Sequence, residues 1–186
     1  MEITRDIVRM TVIVGGILVL SSYVWGVSKM DHPDQLWGGV SKSLQKITVP
    51  MMFLAAIGFL VFWWNSMYSL SLEEVKSLHY PWSTNDENGL QRLFVAYLLF
   101  LVPSMLWLES TRFHEQHAYS WTPFLVIGIL ALVAIGNVLL ILLSYSAYQQ
   151  QVPGGGLMLT GTILLAIQVI INDLIIWSYA YPWKGP

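Results

Sequence analysis

The sequence predicts an all-α integral membrane protein, a single domain built as a bundle of five transmembrane helices. Three observations carry that expectation. Hydrophobic residues make up 55% of the 186-residue chain and charged residues only 11%, well below the roughly 25% usual in soluble domains. Five apolar segments, at about 7–28, 48–70, 90–108, 122–147 and 157–181, approach or exceed the length of about 20 residues that crosses a bilayer's hydrocarbon core. Most of the charge falls in the short connections between them.

The first segment follows MEITRDIVR, so its start resembles a signal peptide. Its apolar run continues through Trp25 with no small-residue cleavage pattern after it, which predicts a retained span. Thr11, Gly15, Ser22 and Gly26 share one face at about 100° per residue. Small residues of this kind let helix backbones approach in lipid, so the face is expected to be a packing seam. An odd number of spans puts the termini on opposite sides. The basic residues do not orient them: Arg5, Arg9, Lys76 and Arg92 lie on one side, Lys29, Lys42, Lys46, Arg112 and Lys184 on the other.

Between the first two spans, Pro33 suits a helix start. Leu36, Trp37, Val40, Leu44 and Ile47 then recur at helical spacing, which suggests a short interfacial amphipathic helix running into the second span. Pro50 is expected in that span's first turn. Leu54, Gly58, Asn65 and Ser69 share one face, and Trp63, Trp64 and Tyr68 form an aromatic belt at one boundary. The following loop is rich in turn formers, among them Asn85, Asp86, Asn88 and Gly89.

Pro103 breaks the backbone ladder of the third span and leaves the Leu99 carbonyl for Ser104, water or a ligand. Tyr97 and Ser104, seven residues apart, fall on one face. WLESTRFHEQHAYSW is expected to form the next loop. Glu109, His114, Glu115 and His117 are metal-binding and proton-shuttling types, but their spacing is not HExxH and no metal site is expected. In the fourth span Gly128, Ala131 and Ala134 suggest a second small-residue seam, with Asn137 the one strongly polar side chain well inside. QQQVPGGG lacks the Lys and Ser/Thr of a phosphate-binding loop and predicts a tight reversal.

The fifth span, LMLTGTILLAIQVIINDLIIWSYAY, holds the chain's main anomaly. Asp173 is the only carboxylate well inside any segment, and no Lys or Arg lies at comparable depth. A carboxylate there costs roughly 2.5–3.5 kcal/mol on insertion scales, so it should face protein or a cavity and have a task. On a helical wheel Gln168 and Asn172 align, with Asp173 about 100° to one side.

These residues exclude several functions. All five lysines lie outside the spans, which removes an intramembrane Schiff base. Four histidines, all at span ends or in loops, do not supply di-iron or bis-histidine haem sites. The absence of cysteine removes thiolate chemistry and clusters. A net charge of −2 without a dense basic run predicts no nucleic-acid partner. No complete catalytic set is present, and no cofactor is indicated. What remains is a polar lining drawn from Asn65, Tyr97, Ser104, Asn137, Gln168, Asn172 and Asp173. It predicts a bundle that binds or transports a small apolar or amphipathic molecule; the alternatives are an accessory subunit of a larger membrane complex and, third, a small enzyme using the Glu109–His117 cluster at the interface. Expected partners are the lipid bilayer, such a ligand, and either further copies or a larger assembly.

The ending LIIWSYAYPWK places Leu174, Tyr179 and Lys184 in the loose cholesterol-contact pattern. With five spans, a short chain and nine tryptophans, it resembles the translocator-protein (tryptophan-rich sensory protein) family in topology and composition. The resemblance implies a five-helix bundle that binds sterols or tetrapyrroles.

Overall fold

The computed structural model describes residues 3–83 and 86–183 of the chain. Lys184 and Asn85, named above, lie outside them. Five helices are long and apolar enough to cross a membrane: α1 (Arg5–Ser28), α2 (Lys42–Ser69), α4 (Gly89–His117), α5 (Thr122–Gln149) and α6 (Gly155–Ala180). They fit a polytopic membrane protein. A short α3 (Leu72–Ser77) follows α2, held by a capping box in which Ser71 and Glu74 satisfy each other's backbone N–H groups.

In cross-section the helices pack in the order α1, α4, α5, α6, α2. The seam expected on α1 is real: Gly15 lies against Leu101 and Gly26 against Leu108, both on α4. Thr11 and Ser22 take no part in pairing helices and return their hydroxyls to the Ile7 and Val19 carbonyls. The glycine that joins α5 to α4 is Gly136, set against the backbone of Leu99 and Phe100, whereas Gly128 has open space around it. Gly58 of α2 and Gly161 of α6 bring their backbones together so closely that a Cβ on either would meet the other's carbonyl oxygen.

α1 and α2 do not close the ring. At the end where α1 begins, Arg9 donates from Nε and Nη2 to the Met67 carbonyl at 3.2 and 2.5 Å and its guanidinium lies over the Tyr68 ring. Beyond that clamp, α1 and α2 both line a gap.

Two helices contain stretches of π-helix, with backbone bonding to the fifth residue: Asn65–Ser69 at the end of α2 and Ile167–Trp177 in α6. Neither is visible to a wheel drawn at a fixed 100°.

Helix α4 outruns the expected third span. Glu109 to His117 is helical, not loop, because Ser110 and Thr111 bond back to the Trp107 carbonyl and Arg112 pairs with Glu109 at 2.8 Å, three residues away. The expected amphipathic helix is a five-residue 3₁₀ turn, Pro33–Trp37. Gly38 ends it at φ 54°, a conformation open to glycine, and the Gly39 N–H leaves for the Ala180 carbonyl at 3.0 Å. Leu44 and Ile47 therefore belong to the start of α2.

Candidate functional site

The interior holds two adjoining chambers of about 320 and 400 Å³. Tyr23, Met52, Trp107, Gln168 and Asp173 line both and form their junction. The first chamber lies under the 3₁₀ turn, with Leu36, Trp37 and Val40 above it and Thr48 and Asn172 on its sides. The second runs toward the middle of the bundle between Phe59, Phe100, Ser104 and Leu165, and reaches the gap between α1 and α2 at Gly16, Leu20, Ala56 and Leu60. Both walls are predominantly apolar.

The polar junction is built by the winding of α6. At 100° per residue, positions five apart point about 140° away from each other. With π winding they stack nearly in register, so Gln168 meets both of its neighbours on the next turn. Its Nε2 donates to Asp173 Oδ1 at 2.8 Å, and its Oε1 accepts from Asn172 Nδ2 at 3.0 Å. The expectation that Asp173 sits well to the side of Gln168 and Asn172 is thereby corrected. The second carboxylate oxygen of Asp173 has no hydrogen-bond partner among the described residues, and Asp173 lines both chambers. The salt bridges among the described residues, Arg9–Asp6, Arg92–Asp86 and Arg112–Glu109, do not involve it.

Four of the seven lining residues named from sequence meet at this cavity: Asp173 and Gln168 at the junction, Asn172 in the first chamber and Ser104 in the second. Ser104 donates to the Phe100 carbonyl at 2.6 Å, one residue away from the Leu99 carbonyl that Pro103 leaves free. The other three lie elsewhere. Tyr97 is fully buried with its hydroxyl 3.3 Å from Ser66, between Phe59 and Phe62. Asn137 is fully buried between α5 and α6; its Nδ2 reaches the Thr162 carbonyl at 3.4 Å while Oδ1 has no partner among the described residues. Asn65 bonds its own helix at the Val61 carbonyl and abuts Gly154, at the far end of the molecule from Asp173. These are packing and turn contacts.

Sequence reasoning passed over Tyr23, Trp107 and Trp177. Tyr23 and Trp107 pack edge to face at 5.9 Å, and Trp107 and Trp177 at 5.5 Å, giving the first chamber an aromatic wall. The signal available was their position: each lies in the same membrane half as Asp173 when the spans are laid side by side.

A belt of contacts closes this end of the bundle. Trp177 Nε1 donates to the Leu36 carbonyl at 2.7 Å, holding the 3₁₀ turn over the first chamber. His114 is buried, and its Nδ1 lies 2.6 Å from Thr122 Oγ1. The Thr122 hydroxyl spends its one proton on the Tyr119 carbonyl, so the imidazole is the donor to it. Glu115 accepts from the Tyr181 hydroxyl at 2.8 Å, and exposed His117 returns to the Phe113 carbonyl. The four titratable residues of this segment thus have separate partners, and among the described residues no group of three His, Asp or Glu side chains converges.

No family model matches the chain, and neither does any curated protein or solved structure.

Proposed function

We propose that the protein binds or carries a small apolar or amphipathic molecule in this two-chambered cavity, with Asp173, Asn172 and Gln168 meeting its polar end. The observation that carries the reading is the placement of one hydrogen-bonded polar chain at the junction of two otherwise apolar chambers. Ligand sites have this composition, apolar walls with a few placed polar groups, and volumes of roughly 300–1,000 Å³. The carboxylate also has the surroundings its cost demands, since it faces a cavity and receives an amide N–H.

A lipid-soluble ligand has a direct route. The gap between α1 and α2 opens the second chamber sideways, where the apolar surfaces of both helices face the bilayer. The 3₁₀ turn, tied by Trp177, covers the other approach.

The test is photolabelling in lipid nanodiscs with a diazirine-bearing fatty alcohol. Label is expected on peptides containing Tyr23, Met52 and Trp107, and Ala56→Trp, which fills the mouth of the gap, should reduce it severalfold. Label confined to outward residues such as Val24 and Phe53, and unmoved by that substitution, would sink the reading.

A further inference from the structure

Among the described residues the polar end of the cavity has a carboxylate and no cation: neither chamber is lined by one of their Lys or Arg side chains. Asp173 Oδ1 is occupied by Gln168, and the Asn172 amide is turned to Gln168 as well. Asp173 Oδ2 and the Asn172 carbonyl oxygen are the acceptors left to a guest, beside the second amide protons of Gln168 and Asn172, the Tyr23 hydroxyl and Trp107 Nε1, which has no partner among the described residues. The rings of Tyr23, Trp37, Trp107 and Trp177 line the same chamber as Asp173.

A carboxylate in apolar surroundings is costly until a positive charge or a proton balances it. Aromatic faces attract cations, and cages of such rings are the common means of holding substituted ammonium groups. The two features coincide in the first chamber. An anionic head would meet the Asp173 charge with no basic group among the described residues to offset it. An alcohol carries no charge to balance the carboxylate and gains nothing from the ring faces.

On the reading that the cavity binds an amphipathic molecule, we infer that its ligand class is the organic ammonium ion: a cationic head held between Asp173 and the Tyr23–Trp107–Trp177 wall, with an apolar tail in the second chamber beside Phe59 and Phe100. The chambers meet at Asp173, so one extended molecule spans both.

Three probes with one chain and different heads separate charge selectivity from cavity binding: ω-bromoundecyl trimethylammonium, ω-bromoundecanol and ω-bromoundecanoate. Bromine quenches nearby indoles, and Trp107 lines both chambers, so tryptophan quenching of the protein in nanodiscs reports binding; the difference from Trp107→Phe isolates the part that arises at the chamber junction. The ammonium probe is expected to bind at least about tenfold more tightly than the alcohol, with the carboxylate weakest. Asp173→Asn should abolish that preference, bringing the ammonium probe's affinity down to about that of the alcohol. Equal affinities of alcohol and ammonium in the unaltered protein would overturn the inference while leaving the cavity reading intact, as would a preference that survives Asp173→Asn. Quenching by all three probes no greater than in Trp107→Phe would overturn the cavity reading, and this inference with it. The comparison within the unaltered protein stands even if Asp173→Asn does not fold.

Discussion

Gln168 Nε2 and Asp173 Oδ1 are joined at 2.8 Å across five residues of one helix, a pairing that regular α winding would hold apart. Hydrogen bonds to charged groups contribute about 1.5–3 kcal/mol when their surroundings are dry. A double-mutant cycle of Gln168→Leu and Asp173→Leu, followed by thermal unfolding in detergent, is expected to show a coupling above about 0.5 kcal/mol. Strict additivity would mean that the bond contributes nothing to the fold.

The contact of Gly58 with Gly161 makes a second prediction. Each glycine occupies the space a Cβ would need, and the obstacle is backbone, which cannot step aside. Gly161→Val should therefore destabilise the bundle by about 1–3 kcal/mol. Gly128→Ala meets nothing within 4 Å and should stay within about 0.5 kcal/mol of the parent. The pair of melting curves checks both.

Trp177→Phe keeps a ring against Trp107 but removes the N–H that holds the Leu36 carbonyl. The loss of about 1 kcal/mol should appear locally, as roughly fivefold faster amide exchange at Gly39, whose N–H is bonded to Ala180. Unchanged exchange in residues 33–40 would show that the indole does not restrain the turn.

Outside the spans, Asp86 is held well below the ordinary aspartate range, at about 2, by its hydrogen bonds from Asn88, with Arg92 contributing; the Arg92 Nη2 lies 2.7 Å away. Because the folded value is the lower one, the carboxylate's contribution is fully present above the ordinary aspartate pKa of about 3.9. It is lost as the pH falls through about 2. Asp86→Asn should therefore lower the melting temperature at neutral pH, and the difference from the parent should shrink below about pH 3.9. A constant gap across that window would show that ionisation of Asp86 is not involved.

The five spans, and Asp173 as the carboxylate placed within one of them, were legible because hydropathy and an isolated carboxylate are properties of composition along the chain. The grouping around Asp173 was only partly so. Gln168 and Asn172 were expected on one face, but the position of Asp173 depended on the winding of residues 167–177, which no periodicity in those residues announces. Asn65, Tyr97 and Asn137 were selected for polarity within apolar segments, and polarity alone does not distinguish a residue that faces a cavity from one that ties helices together. Tyr23 was hidden for the opposite reason: its segment reads as a packing face, and it stands one residue beyond Ser22 on the side that turns to α2. Glu109 to His117 looked like loop because charge usually marks a span's end; local bonds carried the helix through it.

The π winding of α6 gives the protein an unequal tolerance to different kinds of change. Within residues 167–177 a conservative substitution alters one contact. Loss or gain of a single residue between Gln168 and Asp173 would turn everything downstream about the helix axis, taking Asp173 away from Gln168 and the Trp177 indole away from Leu36 together, without altering the hydropathy by which the span is recognised. In this stretch the number of residues is as much a part of the site as their identity.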